Sequence, residues 1–234
     1  MRDNRVASIP AQVLAENRIL KNVYLWMSGG LALTGVIAMG VAGSPQLIRA
    51  LFSNPLLFYG IIIAELVLVF FFSARVMSLS PMAAVATFTA YSALNGVTLS
   101  LIFLVYTGAS VAMTFFVASL TFGGMSLFGL TTRKDLSGIG HYLRMALWGI
   151  IIASLINFLF RSEALYWLIS LAGVGLFTAL TAYDTQIIKK WSRELGDSVS
   201  EADYLRISLL GALKLYLDFI NLFLFLLRFL GRRR

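Results

Sequence analysis

Four ionisable residues lie inside or at the edge of long apolar stretches of this chain: Glu65, Asp184, Lys214 and Asp218. Lys214 and Asp218 are four residues apart, so they share one face of a helix, and Asn221 continues that face. An ionisable side chain at the bilayer centre costs roughly 2.5 kcal/mol or more, so it is expected to face a bundle interior, have a partner and mark an ion or proton path. The alternative is a self-neutralising pair that only lowers the cost of insertion.

A second group of candidates lies near one end of the stretches that contain them. The segment LTAYDTQIIKK places Asp184 near the end of the sixth stretch, where Lys189 and Lys190 are alternative partners for it. Arg75 closes the second stretch on the same side, and we therefore expect that Arg75 and Asp184 can meet. This would add a cation to an intramembrane carboxylate.

The third apolar stretch carries a polar face without a charge. Its members recur at helical spacing and are Thr87, Tyr91, Asn95 and Thr98. Such side chains form hydrogen bonds between membrane helices, and they also line polar paths. The pattern leaves both interpretations open.

Several classes of chemistry lack the residues they need. Cysteine is absent and His141 is the single histidine, so a thiolate or multi-histidine metal site is excluded. No HExxH, GxSxG or aspartyl-protease GxGD motif accompanies the carboxylates. A retinal pump would need a carboxylate in the third stretch, which has none. We therefore expect no enzymatic activity and no cofactor.

The composition indicates the elements that must position these residues. The chain has 234 residues, of which 59% are hydrophobic and 13% charged, and its mean hydropathy is +0.84. A soluble domain would be about 25% charged. Apolar runs of about 20 residues span a bilayer, and we predict an all-α bundle of seven transmembrane helices at residues 23–43, 55–75, 82–105, 109–130, 143–160, 164–188 and 205–229.

The basic residues predict the orientation. Residues 1–22 are expected to form a cytoplasmic tail, 23–230 the membrane domain and 231–234 a basic C-terminal tail. The loops on the side of the N-terminus would hold most of the Lys and Arg residues, whereas the loops on the other side hold only Arg49 and Arg161. Because cytoplasmic loops are enriched in Lys and Arg, this bias places the N-terminus in the cytoplasm. Arg228 and Arg232–Arg234 disagree, so a re-entrant last segment remains an alternative. The positive charge is explained by membrane orientation, and no nucleic-acid partner is expected.

Depth decides whether the two aspartates can meet. Asp218 lies twelve residues after Arg206, which is about 18 Å at 1.5 Å per residue and near mid-membrane. Asp184 is shallower. The two carboxylates meet only if the sixth helix extends toward Trp191 or the seventh begins before Leu205.

Three segments carry a family resemblance. LTAYDTQ, LYLDFINLF and GLTTRKDLSGIG resemble the Bax inhibitor-1 family, and its bacterial inner-membrane branch of YccA and YbhL type is the most similar. The resemblance runs from Val23 onward. It implies a seven-helix bundle with the last helix central, in a bacterial inner membrane, that acts as a pH-sensitive calcium leak.

The resemblance also implies roles for residues. Asp184 and Asp218 would form a proton-sensing pair that holds calcium weakly and transiently, with Arg75 as its partner by location. Independently of the resemblance, their positions in the spans make Glu65, Asn95, Thr98, Lys214 and Asn221 candidates for lining or tuning the path. Two contacting carboxylates in a low-dielectric site share a proton, which supports such a pair independently.

One residue departs from the family pattern. The position four before Asp218 is usually small or hydroxylic in this family, and here it is Lys214. We hypothesise that Lys214 is a built-in counter-ion that weakens or retunes the leak by keeping Asp218 ionised. The alternative function is a stress-protective protein that acts on other membrane proteins without transport of its own.

Overall fold

The computed structural model describes residues 11–194 and 200–234. Within these ranges the chain is α-helical, and its helices are α1 (Ala11–Ala42), α2 (Pro45–Ser53), α3 (Pro55–Arg75), α4 (Pro81–Leu99), α5 (Ile102–Val105), α6 (Gly108–Thr131), α7 (Gly140–Phe160), α8 (Glu163–Glu194) and α9 (Glu201–Leu230). Short 3-10 turns precede α4 and α7.

The predicted membrane architecture is confirmed. In the described part of the chain, seven helical segments are long and apolar enough to cross a bilayer, and each overlaps one predicted span. The first helix begins at Ala11, within the predicted tail of residues 1–22, and residues 1–10 of that tail lie outside the described ranges. The third span is divided into α4 and α5 by a turn at Ser100 and Leu101.

The last two helices are longer than predicted. Helix α8 continues to Glu194 and α9 begins at Glu201, with 32 and 30 residues respectively. At 1.5 Å per residue they are about 48 and 45 Å long, which exceeds the roughly 30 Å hydrocarbon core. Part of the hydrophilic connection between them, residues 195–199, lies outside the described ranges.

Helix α9 occupies the centre of the bundle. In its most apolar 18-residue stretch 67% of the residues are buried, against 0% in the corresponding stretch of α7. It packs on α1, α4, α6 and α8. The large side chain of Tyr216 is fully buried on α9, between the rings of Phe88 and Tyr91. The four helices α1, α4, α6 and α8 surround α9, as the prediction of a central last helix requires.

Helix α9 also runs the full length of the bundle. At the start of α9, Glu201 pairs with Arg18 of α1 at 2.6 Å. We call this end of the bundle the N-terminal end. At the finish of α9, the backbone amide of Thr107 donates to Arg232 and that of Arg234 donates to Val105, both at 3.0 Å, at the opposite end. The alternative of a re-entrant last segment is therefore wrong.

Candidate functional site

Close helix packing positions the carboxylates. A Cβ atom added to Gly129 on α6 would clash with the backbone of Ala182 on α8. One added to Gly211 on α9 would lie 2.9 Å from Val23 on α1. Small residues at these contacts let the helix backbones approach, as expected in lipid. Gly129 thus lets α6 approach α8 two residues before Asp184, and Gly211 lets α9 approach α1.

Asp184 and Asp218 lie side by side in the bundle interior. Only 6% of Asp184 and 4% of Asp218 is exposed. The two carboxyl groups lie close enough across the interface of α8 and α9 for their charges to act on each other. The extension of α8 past Trp191 and the early start of α9 satisfy the depth condition derived from the sequence. Two like charges this close in a low-dielectric site favour a state that shares one proton.

Lys214 supplies the cation of this site, and it acts on an unexpected partner. Its Nζ donates to Oδ1 of Asp184 at 3.0 Å, across the helix interface. The hypothesis that Lys214 is a built-in counter-ion of this site stays a prediction, and the geometry adds Asp184 as its salt-bridge partner. The positive charge of Lys214 also acts on Asp218, one turn away on its own helix. The salt bridge forms with Asp184 because the Lys214 side chain is 37% exposed and reaches toward the N-terminal end, where Asp184 lies, whereas Asp218 is enclosed.

One oxygen of Asp218 has no visible partner. Among the described residues, Oδ2 of Asp218 is buried and makes no hydrogen bond. An unsatisfied buried carboxylate oxygen is costly unless it carries a proton or meets a cation or water. This oxygen is therefore the atom of the site that can take up a proton or bind a cation.

Arg75 does not join the pair. It ends α3 with an exposed side chain, while Phe72 and Val76 are the buried residues of that turn. Its guanidinium makes no ion pair or hydrogen bond with any described residue. The predicted meeting of Arg75 with Asp184 is thus not observed, because Arg75 lies on the outer face of its helix.

The other predicted cations near Asp184 are engaged elsewhere. Lys190 pairs with Asp135 at 2.6 Å. Lys189 donates to the carbonyl of Leu130. Of the cations near Asp184, Lys214 is the one whose salt bridge to Asp184 is seen among the described residues.

Glu65 belongs to a second polar group, between α1, α3, α4 and α9. Thr98 donates to Glu65 at 2.9 Å, and Asn95 donates to the hydroxyl of Tyr91 at 3.3 Å. The hydroxyl groups of Thr34 and Tyr216 lie 2.7 Å apart. Of the polar face predicted for the third span, Thr98 therefore bonds to a neighbouring helix, whereas Asn95 and Tyr91 bond to each other within α4.

Asn221 and Thr87 have more local roles. The amide of Asn221 donates to the carbonyl of Leu217, and the hydroxyl of Thr87 to that of Ala83, each one turn earlier in its own helix. Asn221 is half-buried. Neither side chain makes a hydrogen bond to the aspartate pair.

Sequence reasoning missed a chain of hydroxyl groups beside Asp184. Tyr24 on α1 bonds to Ser126 on α6, and Ser126 lies 3.3 Å from Thr185 on α8. Thr185 follows Asp184 directly. The available signal was the hydroxyl in AYDTQ, but only the packing of three helices identifies its partners.

The side chains available as metal ligands limit how tightly this site can bind a metal ion. In the described ranges no group of three or more His, Asp or Glu side chains could hold a metal ion. Calcium takes about six to eight oxygen ligands. Two aspartates therefore fit a passing ion that keeps water or carbonyl ligands, and they do not fit a tight resident site.

Sequence comparisons agree with this architecture. The family model described as Inhibitor of apoptosis-promoting Bax1 matches residues 16–234. The chain is 50% identical to Inner membrane protein YbhL of Escherichia coli K12 over 215 residues, 92% of each chain. It is 47% identical to an uncharacterised protein of Borreliella burgdorferi over 95% of each chain. An uncharacterised protein of Rickettsia prowazekii, RP147, is 40% identical over 93% of this chain and 90% of its own.

Proposed function

The chain belongs to the family described as Inhibitor of apoptosis-promoting Bax1, and on that premise we propose that it is a pH-sensitive calcium leak channel. The observation that carries the proposal is the burial of both Asp184 and Asp218 in the interior of a membrane bundle, with Lys214 in a salt bridge to Asp184. Intramembrane carboxylates that face a bundle interior are typical of ion and proton paths.

Protonation provides the proposed gate. When the pair shares a proton, its net charge is about −1, and the ammonium of Lys214 beside Asp184 balances it. When that proton leaves, the second negative charge has no described partner, and the pair attracts a cation or water. A divalent ion held by two carboxylates and water binds weakly enough to leave again, as conduction requires.

The proposal assigns no catalytic residue and no cofactor. Calcium is the permeant ion, the bilayer is the immediate partner, and other membrane proteins are further candidate partners. Under the alternative function, the aspartate pair would stabilise the bundle, and the chain would act on those partners without transport.

The test is calcium influx into liposomes that contain the purified protein and an enclosed calcium dye, from about pH 5 to 8, a range that should include the titration of a buried carboxylate pair. Asp184→Asn and Asp218→Asn each replace one carboxylate with an amide of the same shape. Each should flatten the pH profile, because an amide cannot release the shared proton.

The matched control is Asp203→Asn, the same chemical change at the exposed start of α9. It should leave the profile as in the wild type. If folded wild-type protein gives no calcium flux above that of empty liposomes, the channel proposal is refuted and the alternative of an interaction protein is favoured. Equal profiles for the wild type and both pair variants would show a leak without this gate.

We also propose that the N-terminal end of the bundle faces the cytoplasm. Because the chain has no cysteine, single cysteines can be placed at will. Arg232→Cys at the opposite end should react with a membrane-impermeant maleimide in spheroplasts, and Lys21→Cys only after lysis. The reverse pattern would invert the orientation.

A further inference from the structure

A basic pocket opens at the N-terminal end of the bundle, between α8 and the connection from α6 to α7. Its cavity measures about 490 Å³, within the roughly 300–1,000 Å³ of small-ligand sites. Five cations line it, Arg133, Lys134, Lys189, Lys190 and Arg193, together with one carboxylate, Asp135. The lining thus has a formal net charge of +5 − 1 = +4.

A buried amide builds the wall of this basic pocket. Gln186 on α8 is only 7% exposed. Its Oε1 accepts from the backbone amide of Leu136 at 2.8 Å, and its Nε2 donates to the carbonyl of Lys134 at 2.9 Å. Lys190 adds bonds to Asp135 and Ser137. The connection is therefore held against α8 by both sides of one amide, so the pocket is formed before any ligand arrives.

Two of the cations in the lining are unpaired within the described part of the chain. Among the described residues, the side chains of Arg133 and Lys134 make no hydrogen bond or ion pair, although both line the cavity. Asp135, the carboxylate among the described lining residues, is already paired with Lys190 at 2.6 Å. The pocket thus presents uncompensated positive charge in a concave site, which is what an anion requires.

We propose that the basic pocket binds a phosphate group, supplied by the headgroup of an anionic membrane lipid. Arginine and lysine are the side chains that bind phosphate in proteins. The pocket lies where α6 ends, at Thr131, and apolar spans give way to charged residues, which is the level of lipid headgroups. Basic pockets between membrane helices at such a level hold anionic headgroups in other proteins. Free inorganic phosphate is the other source of the same chemistry.

The test is equilibrium binding to the full-length protein in a neutral detergent. The probes are short-chain phosphatidylglycerol, short-chain phosphatidylcholine and inorganic phosphate. Phosphatidylglycerol should saturate one site and bind at least tenfold more tightly than the other two. The double variant Arg133→Gln/Lys134→Gln should weaken it roughly 25-fold, at about fivefold per charge near a membrane surface.

The matched control is Lys21→Gln/Arg144→Gln, which removes two exposed cations from the same end outside the pocket. It should change the affinity less than threefold. Gln186→Ala should weaken binding although the charge is unchanged, because the connection loses its attachment to α8. These readouts do not depend on calcium flux, so they hold whether or not the proposed function does.

Three results would overturn the proposal. Equal losses in the pocket and control variants would show diffuse attraction without a site. If phosphatidylglycerol shows no saturable binding, it is not a ligand of the pocket. Inorganic phosphate that binds as tightly as phosphatidylglycerol would make the soluble anion, and not the lipid, the source of the phosphate.

Discussion

The ammonium of Lys214 lies 3.0 Å from Oδ1 of Asp184, on the neighbouring helix. This salt bridge makes a cation part of the site that contains the two aspartates at the centre of the bundle. Lys214 is therefore expected to act on both carboxylates, through the salt bridge to Asp184 and through its charge one turn before Asp218.

The first prediction concerns this counter-ion and rests on the proposed leak. Lys214→Ser removes the positive charge nearest to Asp184, so the pair becomes harder to ionise. We expect the midpoint of the flux profile to move to higher pH in the liposome assay. Lys214→Arg should keep the midpoint near that of the wild type, since it retains the charge. A serine variant with unchanged flux and pH profile would refute the role of Lys214 as a counter-ion.

The second prediction concerns the hydrogen bond from Thr98 to Glu65, which is 2.9 Å long. Thr98→Val removes the donor and leaves a carboxyl group with one bond fewer inside the bundle. Hydrogen bonds between membrane helices contribute about 0.6 kcal/mol and at most about 1.7. We expect a loss of stability in that range, measured by unfolding in mixed micelles, and recovery in Thr98→Ser.

The control for the second prediction is Thr121→Val. Thr121 is also half-buried, and its hydroxyl donates only to the carbonyl of Val117 in its own helix. This variant should cost less than Thr98→Val. Equal losses would mean that the bond to Glu65 adds no stability.

The third prediction compares two glycines of α6. A Cβ at Gly129 would overlap the backbone of Ala182, whereas one at Gly123 would meet nothing within 4 Å. Gly129→Ala forces α6 and α8 apart and should cost about 1–3 kcal/mol, the usual range for overpacking. Gly123→Ala should be neutral or stabilise the helix by up to about 1 kcal/mol. Thermal unfolding in one detergent would compare them, and equal effects would exclude close packing as the cause.

The fourth prediction concerns pH outside the membrane. The ammonium of Lys190, with help from the amide and hydroxyl of Ser137, lowers the pKa of Asp135 from 3.8 to about 2. Because the folded-state pKa is depressed, the stabilisation from this contact is complete above about pH 4 and is lost as the pH falls through about 2. An NMR titration of the Asp135 carboxyl should show this midpoint, and Lys190→Gln should return it toward 3.8. A wild-type midpoint near the ordinary value would show that the contact does not persist in solution.

The sequence by itself determined the seven spans and the candidate carboxylates. A membrane allows only helices and closed β-barrels, and apolar runs of about 20 residues have the length of a spanning helix, about twice that of a spanning strand. A charge inside a membrane is costly, so the presence of Asp184 and Asp218 in apolar runs identified them as candidate functional residues. The depth argument also named the two extensions of α8 and α9 that the pair needed, and both are present.

Only the tertiary structure decided which groups meet. Helical periodicity places Lys214 and Asp218 on one face, but the reach of a half-exposed lysine toward Asp184 depends on how α8 and α9 are aligned. Arg75 ends its helix at the predicted position, yet the rotation of α3 turns it outward. The basic pocket depends in the same way on Gln186 meeting a connection 50 residues earlier in the chain. Spacing along a helix predicts neighbours within that helix, whereas partners between helices depend on their relative shift and rotation, which the packing of small residues such as Gly129 sets.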